Sequence, residues 1–360
     1  MKKILIGSDL LPSKDIDLDA FNRGDALAIV GKELYDVLCD ADFSVYNLET
    51  PLADEWTPIA KCGPNLITPT SAIEGYKALK VDAVAIANNH VLDHGYEGFV
   101  STLETLDKAG IKRFGAGLTV EEAKKPLIYD ADGFKVGFYV CCEHEFSWID
   151  DYGYGTNGFD PLCTYEEVEE FAKEVDYLVI LYHGGKEYYR YPSPNLQRVC
   201  QKFIRHGANL VVCQHSHCIG SFEDYKGGKI IYGQGNFIFN RIHNEFWDSG
   251  MLVRLTIDNG KVDIDYVVRE SEETSIKLSK DEKILADFYA RSEKIKDANF
   301  IREEYAKFAD TKLDEYLVNL ANGGDKTLVA NMVECEAHRE LMLCGLKRKF
   351  PKEVEGERFD

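Results

Sequence analysis

The sequence has no uninterrupted apolar run that approaches the roughly 20 residues a membrane-spanning helix needs. Its N-terminus, Met1-Lys-Lys-Ile-Leu-Ile-Gly-Ser-Asp9, places only a few apolar residues before an aspartate, too few for the core of a secretory signal. That stretch reads better as a first β-strand. Cys-x-x-Cys zinc spacing is missing as well. The ten cysteines are scattered, with one adjacent pair at Cys141-Cys142, and in a chain read as unexported they are expected to be reduced and packed. Positive charge is scarce. Lys and Arg total 42 against 62 for Asp and Glu, a net charge of −20, which repels nucleic acid and anionic lipid unless a basic patch intervenes. Lys347-Arg-Lys349 is too short to serve as one. There is no internal repeat and no low-complexity segment. These absences leave a cytoplasmic globular protein with no nucleic-acid partner and no membrane segment.

With 360 residues, 45% of them hydrophobic, the chain can build one large domain and a smaller addition. Residues 1–270 alternate short apolar runs with helical patterns, the rhythm of an α/β domain. Helices are predicted near 24–39, 71–80, 95–109, 165–174 and 193–206, the last opening on a serine cap and a proline at Ser193-Pro194. Residues 128–142 read as two strands around an Asp-Gly turn, and strands are predicted at 229–239 and 251–268, with Asp258-Asn-Gly260 as a hairpin turn. Several hairpins beside crossover helices imply two sheets packed face to face with helices outside. Beyond residue 270 the composition shifts to Glu, Lys, Ala and Leu at helical spacing, interrupted at Gly323-Gly324. Residues 271–360 are therefore expected to form a helical C-terminal extension whose charges make a solvated face.

Five apolar runs end in metal-type side chains. Ile4-Leu-Ile-Gly-Ser8 leads into Asp9, and Phe43-Ser-Val-Tyr46 into Asn47 and Glu49. Ala83-Val-Ala-Ile-Ala87 leads into Asn88, Asn89 and His90, and Tyr177-Leu-Val-Ile-Leu-Tyr182 into His183. Asn209-Leu-Val-Val-Cys213 leads into Gln214-His-Ser-His217, where alternate positions of an extended chain would point His215 and His217 the same way. Residues just past the carboxyl ends of strands share one crevice in an α/β sheet. Taken singly, each has an ordinary alternative: Asp9 can cap a turn, Glu49 can sit in a solvated loop, Asn88 and Asn89 can form turns, and His183 can be a core histidine. Jointly they point to one metal site.

Carboxylate, amide oxygen and imidazole together suit one or two divalent ions such as Mn, Fe or Zn. Asp9, Glu49, Asn89, His183, His215 and His217 are the candidate ligands, with Glu49 able to bridge two ions. Two ions roughly 3.5–4 Å apart can activate a hydroxide and clamp the oxygens of a phosphoryl displacement. His90 would face the leaving group as general acid. Without the ions, Asp9 and Glu49 would repel an anionic substrate.

The motifs Asn47-Leu-Glu-Thr-Pro-Leu52, Ala87-Asn-Asn-His-Val-Leu-Asp-His-Gly95, His183-Gly-Gly-Lys-Glu-Tyr188, His215-Ser-His217 and Gly233-Gln-Gly-Asn-Phe-Ile-Phe239 resemble the CapA type of capsule-biosynthesis protein. This poly-γ-glutamate synthesis group is itself similar to calcineurin-like metallophosphoesterases. The resemblance covers about residues 1–268. It implies a four-layer α/β/β/α sandwich, the six ligands named above and His90 as the catalytic histidine. Metallophosphoesterases usually open with Asp-x-His, whereas Asp9 here is followed by Leu10 and Leu11, so one imidazole is missing. His94, His144 and His243 are the candidates to replace it.

Further residues can serve the same crevice. Asp93 can cap the helix near Gly95 or orient His90. Glu187 and Lys186 can line the substrate side of His183, and Asn236 can present its amide or merely shape a turn. Arg190, amid Tyr188, Tyr189 and Tyr191, can bind an anion with its planar fork or belong to a packed loop. The expected function is a metal-dependent phosphoesterase acting on a small anionic substrate. A hydrolase of γ-glutamyl amides, or a non-catalytic metal-binding accessory of cell-surface polymer synthesis, are the alternatives.

Overall fold

A computed structural model describes residues 1–12, 18–239, 244–321 and 324–351. Two β-sheets lie face to face between helices, as expected. In the first, β1 (Lys2–Leu10), β2 (Phe43–Asn47), β3 (Ala83–Ala85) and β4 (Lys112–Phe114) run parallel in that order. The second holds β6 (Leu127–Ala131), β7 (Phe134–Cys142), β9 (Tyr177–His183), β10 (Leu210–Gln214), β12 (Gly228–Ile231) and β11 (Phe222–Tyr225), with β7, β9, β10 and β12 parallel. A short ribbon pairs β5 (Ala116–Gly117) with β8 (Gly155–Thr156). On the far side of β1 the first sheet continues through β13 (Asn236–Ile238), β14 (Ser249–Asp258), β15 (Lys261–Ser271) and β16 (Ile276–Leu278).

The layers follow from the two-residue period of the strands. Ile4, Ile6 and Val45 meet Val136, Val179 and Val212 between the sheets. Their neighbours Leu5, Tyr46 and Val84 face outward under Ile29, Leu34, Tyr76 and Phe99 of the helices Ala26–Cys39, Ile73–Ala78 and Gly95–Ala109. Tyr139, Ile180 and Val211 do the same beneath helices Thr164–Ala172 and Pro194–Arg205. Each large apolar side chain so buried contributes roughly 1.5–3 kcal/mol by leaving water.

Local signals set the boundaries. Ser193 Oγ accepts from Leu196 N at 3.0 Å and starts its helix. Asp132 and Gly133, with φ of 55° and 94°, make the Asp-Gly turn between β6 and β7. The single strand expected at 229–239 is two: β12 belongs to the second sheet and β13 to the first. Gly233 and Gly235, with φ of 129° and 69°, bend the chain across, and a Cβ at either would meet backbone atoms under 3.0 Å away.

The C-terminal helices Glu282–Lys294, Ala298–Ala321, Lys326–Glu334 and Glu336–Lys349 lie against the sandwich. Phe288 enters the core between the sheets, and Ile295 and Ile301 join the outer layer of the second sheet. Their charge is not all solvated, which corrects the expectation of a solvated face. Glu340 accepts from Asn195 N at 2.8 Å, and Glu336 from His144 N at 2.8 Å. These half-buried carboxylates satisfy backbone N–H groups in the first turn of the helix Pro194–Arg205 and just past β7. Among the described residues no helix is long and apolar enough to cross a membrane.

Candidate metal centre

Strand register brings the donors together. Asp9 of β1 stands opposite Asn47 of β2, and Asn47 opposite Ala85 at the end of β3, from which the chain turns into Asn88–His90. In the second sheet His183 closes β9 opposite Gln214 of β10 and Cys142 of β7. Side chains from the carboxyl ends of both sets of parallel strands meet, Asn47 Nδ2 lying 3.3 Å from His183 Nδ1.

Two groups of ligand atoms form there. Asp9, Glu49 and His217 offer atoms within 4.8 Å of one another, and so do Glu49, His183 and His215. Glu49 is common to both. Its Oε1 lies 3.3 Å from His183 Nε2 and 4.0 Å from His215 Nδ1. His217 Nδ1 is 3.4 Å from Asp9 Oδ2, and Asn89 Oδ1 is 3.0 Å from His183 Nε2. All six candidate ligands are thus gathered at one place, each of them buried.

The asparagines brace this cluster. Asn47 donates to Asp9 Oδ1 at 2.8 Å, and Asn88 donates to Asn47 Oδ1 at 3.1 Å and to Leu48 O at 2.7 Å. Asn236 places Oδ1 2.9 Å from His217 Nδ1 while donating to Phe239 O at 3.2 Å.

The histidine pair is not extended. His215 and His217 have φ of 89° and 54°, backbone that non-glycine residues seldom adopt, and the two side chains fall in different donor groups that share Glu49. This replaces the expectation that both rings point one way.

Polar atoms at the centre of the cluster lack hydrogen-bond partners. Asp9 Oδ2, both Glu49 oxygens and His215 Nδ1 are buried without a hydrogen-bond partner among the described residues. Burial, then the neighbouring Asp9 carboxylate, pushes Glu49 up to about 8. Burial lowers His183 and His215 to about 4. It opposes charge on His217 too, but the carboxylates of Glu49 and Asp9 outweigh it and raise that group to about 10. Unpaired buried charge is costly, and a cation is the usual remedy. Paired carboxylate and imidazole donors sharing one bridging carboxylate are a set that suits a divalent ion.

His90 stands beside the cluster, its Nδ1 2.7 Å from Asp93 Oδ2. Asp93 also accepts from Leu66 N at 2.6 Å and pairs with Lys61, whose side chain is buried 3.1 Å from His90 Nδ1. Asp93 therefore orients His90 rather than capping the helix, whose cap position is His94. Glu187 is half-buried and held below the usual carboxylate range: burial opposes its charge, but the charges of His217 and His215 outweigh it.

Other candidates sit elsewhere. Arg190 donates to Ile219 O at 3.2 Å and Glu245 O at 3.0 Å, and its guanidinium covers the Phe246 ring. His94 Nδ1 accepts from Thr57 N at 2.9 Å, and His144 pairs with Asp151 at 2.8 Å while stacking on Trp148. Neither stands in for the missing imidazole, and His243 lies outside the described residues. Leu11 packs with Phe239 and Trp247, sealing that side, and Trp247 stacks on His217 at 4.8 Å.

Four residues at the site escaped the sequence reading: Lys61, Glu145, Asn331 and His338. Glu145 Oε2 accepts from Asn89 Nδ2 at 3.1 Å. Its other oxygen accepts from Asn331 Nδ2 at 2.8 Å and lies 3.7 Å from His338 Nε2. Burial opposes its charge, but His215 and His338 hold it down at about 2.

The chain is thus a four-layer α/β/β/α sandwich with paired donor groups at its strand ends. The chain belongs to the family described as Bacterial capsule synthesis protein PGA_cap, which matches residues 4–241. It is 26% identical over 251 residues to the capsule biosynthesis protein CapA of Bacillus anthracis, covering 67% of this chain and 61% of that one. It is 27% identical over 195 residues to the PGA biosynthesis protein CapA of Bacillus subtilis (strain 168), covering 52% and 50%. The matched region thus spans between half and two thirds of the length of these relatives. A 5'-nucleotidase precursor of Thermus thermophilus superposes over 77% of this chain and 54% of its own, at 15% identity and a TM-score of 0.41, too loosely to bear on function.

Proposed function

We propose that this chain is a metal-dependent hydrolase of phosphoester type that serves capsule or poly-γ-glutamate synthesis and acts on a small anionic substrate. One observation carries the reading: Glu49 is fully buried between two donor groups with neither oxygen hydrogen-bonded. Asp9, Glu49 and His217 would hold one divalent ion, and Glu49, Asn89, His183 and His215 the other. Bound ions of this class polarise a phosphoryl oxygen and lower the pKa of a coordinated water.

The chain's own residues do the rest. Asp93 accepts at His90 Nδ1, which fixes the imidazole and leaves Nε2 to give a proton to the departing oxygen. Lys61 pairs with Asp93 beside that contact. Leu11, Phe239 and Trp247 exclude water on the His217 side, which strengthens charge interactions within the crevice. We read residues 271–360 as an extension laid over the 1–270 unit.

The apolar seal at Leu11, where an imidazole would complete the usual ligand set, favours a second reading: a metal-binding accessory protein with weak or no turnover. Elemental analysis with a screen of phosphoesters and γ-glutamyl amides separates the two. The first reading expects bound divalent metal and phosphoester hydrolysis that falls in His90→Ala. Metal without any turnover supports the accessory role, and absence of metal from unchelated protein contradicts both.

A further inference from the structure

Glu145 faces the outward edges of two residues whose inward atoms look toward Glu49 and His183. Asn89 donates its Nδ2 to Glu145 Oε2 at 3.1 Å and turns its Oδ1 to within 3.0 Å of His183 Nε2. An amide carries its nitrogen and oxygen on opposite sides, so fixing one aims the other. His215 repeats the arrangement with a ring. Its Nε2 is 3.8 Å from Glu145 Oε2, and its unpartnered Nδ1 is 4.0 Å from Glu49 Oε1. Glu145 does not face Asp9 or His217, whose braces are Asn47 and Asn236.

Glu145 is held in turn from the C-terminal helices. Asn331, 3% exposed on the helix Lys326–Glu334, donates to Glu145 Oε1 at 2.8 Å. Its position lies well beyond residue 241, where the family match ends.

We infer that Glu145, secured by Asn331, is the positioning residue that aims Asn89 and His215 at one of the two ions, so that the C-terminal helices complete half of the metal centre. The inference rests on the metal reading proposed above. Carboxylates behind metal-ligating side chains orient them, and their loss typically weakens metal binding about 10–100-fold. The loss here should be confined to the ion on the His215 side.

The test is a Mn²⁺ titration of the full chain by calorimetry, with electron paramagnetic resonance on the same samples. Wild type is expected to take two ions with an exchange-coupled spectrum. Asn331→Leu, of similar shape but without the donor, should keep one ion at wild-type affinity, bind the second about 10–100-fold more weakly, and show an isolated-ion spectrum at matched loading. If wild type takes a single ion, that ion must weaken by the same factor in the variant. Thermal unfolding of the apoproteins runs alongside. Should Asn331→Leu not fold, Glu145→Gln, which keeps the shape and removes the charge facing His215, is judged by the same criteria. Unchanged ion affinity and number, with or without a lower Tm, overturns the inference. Wild type that binds no Mn²⁺ instead overturns the reading beneath it.

Discussion

Glu49 and Glu145 are both buried carboxylates flanked by histidines, and their surroundings differ in one respect. Around Glu49 the acceptors face one another: both of its oxygens, Asp9 Oδ2 and His215 Nδ1 lack partners. Around Glu145 both oxygens and both His338 nitrogens are met. Its oxygens take amide donors from Asn89 and Asn331, and His338 lies between Lys186 at 2.9 Å and Tyr316 at 2.6 Å. Glu145, Cys335 and His338 also offer atoms within 4.8 Å of one another, so proximity of metal-type residues does not separate the two clusters. Hydrogen-bond satisfaction does. On the proposed reading a cation completes the first cluster, whereas the second is already hydrogen-bonded and carries the Lys186 ammonium beside it.

The contrast breaks most sharply at Glu49. Glu49→Leu is expected to abolish binding of both ions and yet to raise the Tm of the chelated protein, because it deletes a buried carboxylate neither of whose oxygens is hydrogen-bonded. Metal analysis and thermal unfolding in chelator check both halves, and a lower apoprotein Tm would count against the account. Chelation of wild type comes next. Stripped of ions, Asp9 and Glu49 leave the crevice hostile to anions, so calorimetric phosphate affinity should vanish along with turnover. His90→Ala should retain its metal while phosphoester turnover drops by about 10²–10⁴-fold. Glu145→Leu should act oppositely to Glu49→Leu on the apoprotein, destabilising it by about 1–3 kcal/mol for each amide donor left unpaired, as read by denaturant unfolding. Smallest is His144→Ala, outside both clusters, expected to leave metal content unchanged and to shift stability by less than about 1 kcal/mol.

Much of the unpaired cluster was legible in the sequence, and little of the satisfied one. Asp9, Glu49, Asn89, His183, His215 and His217 each follow an apolar run, and strand register converts that position into convergence. The layered fold was legible for the same reason, because strand and helix periods show which faces are apolar. Lys61 sits in a loop with no period to read. Glu145 lies just past the end of β7, the strand beside β9, so the rule that exposed the other ligands applied to it as well. Asn331 and His338 sit in helices, where periodicity marks the apolar face without telling which polar residue at its margin turns inward. His215 and His217 were found for an inexact reason, since spacing reveals the pair and left-handed backbone decides where each ring goes.

Anomalous diffraction from crystals grown without chelator tests the central claim most directly. The account predicts one or two strong peaks about 2.0–2.2 Å from Glu49 carboxylate oxygens, flanked by His183 and His215 on one side and by Asp9 and His217 on the other. A Glu49 side chain hydrogen-bonded to water or protein, with no anomalous peak beside it, would contradict it.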